Sequence, residues 1–366
     1  MLRDAYGRRD FLGALGIGSL GAITANLCTQ VATAEEPAPE KKWEPSSDRK
    51  IRVGIVGHGV CQFGAAFGFQ DHPNVHVEAV SDLIPERCSQ MMEACRCSRS
   101  YASLEELGKD PAIEAVVVAT DAASHARHCI DCLQHGKHVM TAVPATWGSI
   151  EQAHELLETV QRTGLKYMMA ETSCFHADCY AMRQIYQAGG FGRIVYSEGE
   201  YVHYIPGDFP SFQGWRTGCP PLWYPTHSTA YYTWVTGKRY TSVSCLGFPG
   251  QHAIYQKGGN AYDNPFADQV ALFDTSEGGC SRMSMCKSVQ GYSGEAGRVY
   301  GEQGSFVGGY QGTLAELPDL SRPPLPPTVA AGGHGGSHGH LCHEFVTAIL
   351  ADRAPVIDVH AALAMT

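Results

Sequence analysis

The chain has few basic residues and, beyond its first 34 residues, no long apolar run. Its 27 lysines and arginines stand against 37 aspartates and glutamates in 366 residues, so the formal net charge is −10 at pH 7. This balance argues against nucleic acid or an anionic membrane surface as a partner. A membrane span needs about 20 apolar residues, and only the glycine-interrupted start of the chain comes near that. We therefore expect a globular protein without a membrane anchor, large enough for two domains.

Residues 1–34 resemble a signal peptide of the twin-arginine (Tat) type. The stretch GRRDFL at 7–12 is followed by a Gly/Ala/Leu segment and by the small-residue site Ala-Thr-Ala at 32–34. The Tat route exports proteins that are already folded. We predict export to the periplasm, with residues 35–50, which are charged and contain proline, as a linker.

Two groups of side chains that metals favour stand out, but neither has the spacing of a known site. The pair Cys129-x-x-Cys132 lacks a second pair at zinc-ribbon distance. Four histidines between 334 and 343 lack a carboxylate or cysteine partner at zinc spacing. We predict no metal. Because folding before export takes place in a reducing compartment, we expect most of the fourteen cysteines to be free and buried.

The rest of the chain divides by pattern into two parts. Between 51 and 171, buried strands alternate with helices, which is typical of a doubly wound parallel sheet of the Rossmann type. Between 172 and 366, alternating strands and a hairpin turn dominate, which predicts an α+β domain with an open, largely antiparallel sheet. The chain stops inside an apparent helix, so we expect that its C-terminus is truncated. The predicted class is α/β, with a cofactor domain and a domain for substrate binding and oligomerisation.

The segment VGIVGHG at 53–59 is the main functional motif. It follows a buried strand and opens a helix, so its first glycine permits a tight turn and its second lets the backbone approach a pyrophosphate. The usual third glycine is missing, because Gln62 stands there and Gly64 comes two residues later. Asp82 ends the next strand, where a carboxylate binds ribose hydroxyls and favours NAD over NADP. The turn itself supplies the candidate cofactor residues Gly57, His58, Gly59 and Val60.

Further motifs resemble the Gfo/Idh/MocA family over about residues 51–363. They are Ala-Thr at 119–120, His125, GKHV at 136–139, Val-Pro at 143–144 and VYGEQGSF at 299–306. The resemblance implies NAD as cofactor, a sugar or polyol as substrate, and a homodimer or homotetramer formed through the outer face of the open sheet. It places Thr120 and His125 at the cofactor. Asp121, where the family usually has proline, would face the same cleft.

Two acid–base groups typical of the family's dehydrogenases are absent. Their Glu-Lys-Pro is replaced by Ala142-Val143-Pro144, and the aspartate four residues before the conserved histidine is replaced by Trp223. His227 remains. Ordinary alcohol oxidation is harder to support without those groups.

PLWYPTH at 221–227 and GHGG at 333–336 resemble a branch without that lysine, the NAD-dependent α-N-acetylgalactosaminidase-type glycosidases. In that branch bound NAD oxidises the sugar at C3, the aglycone is eliminated, water adds, and the hydride returns. The resemblance makes Tyr224 and His227 the acid–base pair. The branch's glutamate and tyrosine are replaced here by Ala142 and Phe175.

Each candidate also has a purely structural interpretation. His227 could cap the helix that runs through Trp234, and Tyr224 could belong to an aromatic core. We predict a substrate site lined by aromatic, basic and imidazole side chains, which are Tyr201, His203, Trp215, Arg216 and His334.

The leading hypothesis is an exported NAD-dependent oxidoreductase that takes a hydride from a sugar or glycoside. The first alternative is a glycosidase whose NAD does not dissociate. The second is a catalytically impaired protein that binds sugar or NAD.

Overall fold

A computed structural model describes residues 41–59, 61–205 and 207–366 of the chain. The predicted signal peptide, residues 35–40 of the linker, and Val60 lie outside the described residues. Within them, Lys41–Thr366 forms one compact unit, and no helix combines the length and apolar character that a membrane span requires.

The first sheet has five parallel strands in the order β2-β1-β3-β4-β5. Its central strand AVVV is buried at every position, as expected for a parallel sheet covered on both faces. The strands are β1 (Ile51–Val56), β2 (Val75–Ser81), β3 (Ala115–Val118), β4 (His138–Thr141) and β5 (Tyr167–Met169). The chain reverses direction across the sheet between β1 and β3, so the carboxyl ends of these two strands form the crevice where ligands bind in such folds.

Five helices flank this sheet, and local signals explain their ends. Ser149 caps α5 by accepting a hydrogen bond from the Gln152 amide, and Gly164 ends it in a left-handed conformation. The helices are α1 (Phe63–Ala66), α2 (Pro85–Ala94), α3 (Leu104–Gly108), α4 (His125–Gln134) and α5 (Ile150–Thr163), with 3₁₀ turns at Phe69–Asp71 and Ala122–Ser124. The helix that the glycine turn opens is short, because Gly68 adopts a left-handed conformation between α1 and the 3₁₀ turn at Phe69–Asp71.

The second sheet has seven strands in the order β12-β11-β10-β6-β9-β8-β7. All neighbours are antiparallel except β6 and β9. The strands are β6 (Ile194–Val202), β7 (Tyr240–Pro249), β8 (Phe266–Thr275), β9 (Cys280–Cys286), β10 (Gly294–Gly301), β11 (Gly304–Phe306) and β12 (Tyr310–Gly312). The predicted fold class, a Rossmann sheet followed by an open and largely antiparallel sheet, is confirmed.

The helices of the second part are α6 (Ala177–Gln187), α7 (Thr226–Thr236), α8 (Gly333–Gly336), α9 (His338–Leu350) and α10 (Val359–Met365), with 3₁₀ turns at Thr172–Phe175, Phe212–Gly214, Pro221–Trp223 and Ala253–Tyr255. Every residue of α7 is buried. It lies on the sheet because two strand glycines leave room for it: a Cβ at Gly199 would be 1.9 Å from the Ser228 carbonyl oxygen, and one at Gly297 would be 2.2 Å from the Tyr231 ring. This close approach fixes His227 at the start of α7.

The C-terminal helices return to the first sheet. Phe345 of α9 packs edge-on against Phe69, and the Met169 amide donates to the Ile357 carbonyl. The thirteen cysteines of the described residues are all free and eight of them are buried, which agrees with the expectation for these residues.

Candidate functional site

The glycine turn after β1 has the geometry that a dinucleotide requires. Gly57 has a φ of 90°, and a Cβ there would lie 2.4 Å from the Ala119 carbonyl oxygen at the end of β3. Gly59 has a φ of 61° and no heavy atom within 4 Å of its Cβ position. The backbone therefore fits tightly against the sheet on one side and stays open on the other, which is the side a pyrophosphate would approach.

Gly64 performs the packing role of the glycine that the sequence seemed to lack. A Cβ on Gly64 would lie 2.6 Å from the Gly57 carbonyl oxygen and 2.6 Å from the Met91 sulfur. Gln62, at the usual position, instead takes a left-handed conformation with a φ of 54° just before α1. Because α1 has only four residues, its dipole adds little to anion binding.

A cavity of 370 Å³ opens beside this turn. Its wall includes Gly57, His58, Gly59, Asp82, Thr120, Asp121, Trp215 and Arg216. Asp82 accepts hydrogen bonds from the amides of His58 (2.8 Å) and Ile84 (2.9 Å). It therefore fixes the glycine turn and still has lone pairs for a ribose hydroxyl. These residues fit a dinucleotide laid across the carboxyl ends of β1 and β3.

His125 does not line this cleft. Its ring is buried, with Nδ1 2.8 Å from the Pro144 carbonyl oxygen and Nε2 3.2 Å from the Thr120 carbonyl oxygen. Burial lowers the pKa of His125, although both carbonyls act against this. The side chain thus braces the two loops after β3 and β4, and would act on a cofactor only through their position.

A second cavity of 240 Å³ adjoins the first, and the two share Cys61, Phe63 and Arg216. It brings together most of the predicted substrate and catalytic residues, namely Tyr201, His203, Arg216, Tyr224, His227 and His334. Trp215 lines only the cofactor cleft, where it packs edge-on against Trp147 at 5.3 Å. Ala142 and Val143, at the family's Glu-Lys positions, line the second cavity but carry no proton to transfer.

His227 forms a buried ion pair that the sequence motif did not reveal. Its Nδ1 lies 2.8 Å from Glu171 Oε1, and neither side chain is more than 5% exposed. Burial alone would lower the pKa of His227, but the Glu171 and Glu295 carboxylates outweigh it and raise the pKa to about 9. Burial likewise tends to raise the pKa of Glu171, yet His227 holds it below the ordinary value. The pair is therefore imidazolium and carboxylate at neutral pH.

Glu295 on β10 completes this cluster and was not predicted. Its Oε2 accepts a hydrogen bond from the Ser173 hydroxyl at 2.5 Å and lies 3.6 Å from both His227 Nδ1 and His176 Nε2. It stands beside Tyr201 across the β6–β10 pairing. Only that register brings it to the cavity, and the sequence offers just one signal, a glutamate between small residues at the start of a strand.

The aromatic side chains of the cavity keep their protons. Burial raises the pKa of Tyr224 to about 12, although the Arg216 guanidinium acts in the opposite direction. Burial also raises the pKa of Tyr201, whose ring stacks on His227 with centroids 4.9 Å apart. Both hydroxyls therefore act as hydrogen-bond donors at neutral pH.

The cluster also has the donor atoms of a metal site. One ligand atom each from Glu171, His227 and Glu295 lies within 4.8 Å of the others, a spacing that a divalent cation can bridge. In this arrangement, however, the His227 proton already lies between the carboxylates, because Nδ1 contacts Glu171 directly. A cation would have to take the place of that proton.

The ion pair predicts how stability depends on pH. Since the pKa of His227 is raised to about 9, its contribution is complete below its ordinary pKa and is lost as the pH rises through about 9. Since the pKa of Glu171 is lowered, that contribution is lost as the pH falls below the ordinary range of a glutamate. We expect the Tm measured by calorimetry to drop as the pH rises from about 6.5 to about 9, and to drop less in His227→Gln. Equal slopes in the two proteins would contradict the ion pair.

The fold and both cavities define a protein of the dinucleotide-dependent type, with the cofactor cleft on one sheet and a polar cavity supplied largely by the other. Residues 51–171 match the Gfo/Idh/MocA model, described as an oxidoreductase family with an NAD-binding Rossmann fold. These residues are therefore similar to the NAD-binding domain of that family, and NAD is the cofactor.

Individual curated proteins are also similar to this chain in sequence. A Bacteroides fragilis protein named glycosyl hydrolase family 109 protein 1 is 28% identical over 228 residues, covering 56% of this chain and 48% of that protein. The α-N-acetylgalactosaminidase of Shewanella oneidensis is 25% identical over 288 residues, covering 68% and 60%. The chain thus spans about half the length of the first of these curated relatives. The predicted resemblance to the glycosidase branch is confirmed.

A solved structure with the same fold is scyllo-inositol dehydrogenase from Lactobacillus casei, determined with NAD(H) and scyllo-inositol. It has a TM-score of 0.67 and 16% identity, and the match covers 87% of this chain and 94% of that one. At this identity the likeness shows the fold.

Proposed function

We propose that the protein is an NAD-dependent enzyme that removes a hydride from a hydroxyl-bearing carbon of a sugar or glycoside. One observation carries this proposal: a buried histidine–carboxylate cluster lies in the wall of a cavity that opens into the cofactor cleft, with Arg216 at the junction. A sugar in that cavity would have its carbon near the cofactor and its hydroxyls near groups that bind or move protons.

The side chains of the cavity would divide these tasks. Bound NAD supplies the hydride acceptor. The His227 imidazolium donates a hydrogen bond, which favours the carbonyl oxygen that develops as the carbon is oxidised. Tyr224 and Tyr201 donate to further hydroxyls, and Arg216 fixes the orientation at the junction between the cavities. Phe63 and Phe67 give the cavity an apolar side, which suits the C–H face of a sugar ring.

The second candidate is a glycosidase in which the hydride returns to the sugar within each cycle. The names of the relatives from Bacteroides and Shewanella favour it. Such a reaction leaves the cofactor as it began, so a tightly held NAD would suffice. The cavity supplies hydrogen-bond donors that suit both reactions. The products formed during turnover must therefore distinguish them.

The test uses the full-length protein as purified. It is denatured to release any NAD for mass spectrometry, and the native protein is incubated with p-nitrophenyl glycosides, including the N-acetyl-α-galactosaminide, and with the free sugars. NADH accumulation supports the oxidoreductase, whereas p-nitrophenol release without NADH supports the glycosidase. If the protein holds no NAD, shows no affinity for added NAD and turns over none of these compounds, both proposals fail and a binding protein remains.

We also propose Tat export to the periplasm, which the twin-arginine motif at 7–12 and the small-residue site at 32–34 support. A protein exported in folded form could carry its NAD with it. The full chain is expected to reach the periplasm of wild-type cells and to stay in the cytoplasm of cells without the Tat translocase. Export that is equal in both strains would refute this.

We further propose a homo-oligomer formed through the outer face of the second sheet. Ala271 of β8 and its partner Met283 are both buried, so the neighbouring Leu272 points to the opposite, outer face of the sheet. Leu246 and Phe248 of β7 share the face of Leu272 by register, and all three are about half exposed or more. Burying such side chains would stabilise a pair of sheets.

Leu246→Asp is therefore expected to convert the oligomer to a monomer. The introduced carboxylate would lose its hydration within an apolar interface. Light scattering coupled to size exclusion measures the mass of each form. Leu317→Asp, also an exposed leucine but in a loop, is the control. A wild-type protein that is already monomeric would refute this interface.

A further inference from the structure

Oxidation of an alcohol carbon needs a group that accepts the hydroxyl proton, and the family's lysine is absent here. Of the described residues that line the second cavity, Glu295 is the only carboxylate. The contacts of Glu295 therefore decide whether the cavity has a carboxylate oxygen that can accept this proton.

The contacts of Glu295 leave one of its oxygens available. The Ser173 hydroxyl, His227 Nδ1 and His176 Nε2 all approach Oε2, at 2.5, 3.6 and 3.6 Å. Among the described residues no hydrogen bond or ion pair involves Oε1. The carboxylate is thus held in place through one oxygen, while the other has no partner among the described residues and belongs to a side chain of the cavity wall.

The other titratable groups of the cavity are poorer acceptors. His227 carries its proton because Glu171 pairs with it. Tyr201 and Tyr224 are protonated, and Arg216 has no acceptor. His334 and His203 already use Nδ1, toward His338 and Ser293. Burial lowers the pKa of both, which makes them weak bases.

Together with the proposed function, on which this inference rests, we propose that Glu295 is the catalytic base that takes the hydroxyl proton of the sugar carbon being oxidised. The O–H bond breaks and its proton passes to Oε1, while the C–H electron pair leaves as hydride to NAD and the carbon–oxygen bond becomes a carbonyl. The His227 imidazolium donates to the same oxygen. Glu295 therefore takes over, from the second sheet, the proton transfer that Val143 cannot perform.

Several polar and charged groups surround Glu295. It faces the Ser173 hydroxyl, His176, the His227 imidazolium on α7 and Tyr201 on β6, and His334, His203 and Arg216 lie in the wall of the same cavity. The buried Glu171 carboxylate balances one of these positive charges. The cluster thus combines Glu171 and Glu295 with the His227 imidazolium. Because both glutamates raise the pKa of His227, replacing either of them should lower that pKa.

The test compares Glu295→Gln with Glu200→Gln, a matched glutamate on the neighbouring strand that lines a different cavity. NADH formation is followed in a single turnover with NAD and whichever probe sugar or p-nitrophenyl glycoside the wild type oxidises. We expect Glu295→Gln to slow it by a factor of roughly 10²–10⁴ and Glu200→Gln to leave it unchanged. Added formate should restore part of the rate of Glu295→Ala, which also shows that this variant folds.

A second measurement needs no turnover. The ring resonances of His227, followed by NMR without substrate, should titrate at lower pH in Glu295→Gln than in wild type and at the same pH in Glu200→Gln. An unchanged single-turnover rate in Glu295→Gln, or activity that disappears with a chelator and returns with a divalent metal, would overturn the proposal. A wild type that oxidises no probe at all would instead count against the proposed function, and an unshifted titration of His227 would count against the cluster.

Discussion

Gly57→Ala is expected to abolish NAD binding. A Cβ at this position would lie 2.4 Å from the Ala119 carbonyl oxygen and 2.9 Å from the Thr120 amide nitrogen. Both atoms belong to the backbone of the strand end that forms the opposite wall of the cleft. The φ of 90° adds strain for any side chain. The turn would have to move away from the sheet, and the cofactor site would move with it.

Calorimetric titration with NAD measures this loss directly, after any NAD that copurifies has been removed. The control is Gly136→Ala, where φ is 77° but no heavy atom lies within 4 Å of the added Cβ. It imposes similar backbone strain without the clash and far from the cleft. If Gly57→Ala bound NAD as tightly as Gly136→Ala, the dinucleotide would not lie against this turn.

Local pattern was enough to predict the first sheet and its cofactor turn. The predicted alternation of strands and helices between 51 and 171 is present, because apolar periodicity and capping residues such as Ser149 and Gly164 mark its elements. The packing glycine was harder to see. Gly64 approaches Gly57 where Gln62 adopts a left-handed conformation, which the sequence does not encode in any simple motif.

The active-site chemistry was harder still, because its partners are distant in the chain. The sequence lacks the aspartate expected four residues before His227, which suggested that the histidine had lost its carboxylate. The structure provides two, from Glu171 after β5 and from Glu295 on β10. Both contacts depend on how the two sheets meet, and neither can be read from spacing. The residue substitutions that weaken the usual mechanism are thus accompanied by a different acid–base cluster.

This cluster gives the aromatic cavity its polarity. Tyr201, Tyr224 and the apolar side chains of α1 would by themselves form an ordinary core, which was the structural alternative for Tyr224. The buried ion pair distinguishes the cavity from such a core. Burying charges costs free energy unless they are paired, and ionisable groups with shifted pKa values cluster at functional sites. Perturbed ionisation of a histidine beside a cofactor cleft is typical of active sites.

His227→Ala is expected to lower kcat/KM by a factor of roughly 10²–10⁴. The variant loses the donor to the developing carbonyl and leaves the buried Glu171 without its partner.

Because the loss of that partner also destabilises the fold, the sharper variant is Glu171→Gln, which keeps the shape of the side chain and removes the charge that raises the pKa of His227. In wild type, activity that needs the imidazolium should persist as the pH rises to about 9 and then fall. In Glu171→Gln that fall should begin at lower pH, while activity well below it is largely kept. A pH profile that Glu171→Gln leaves unmoved, or a His227→Ala protein that stays folded and fully active, would show that the protonated histidine does not act in the reaction.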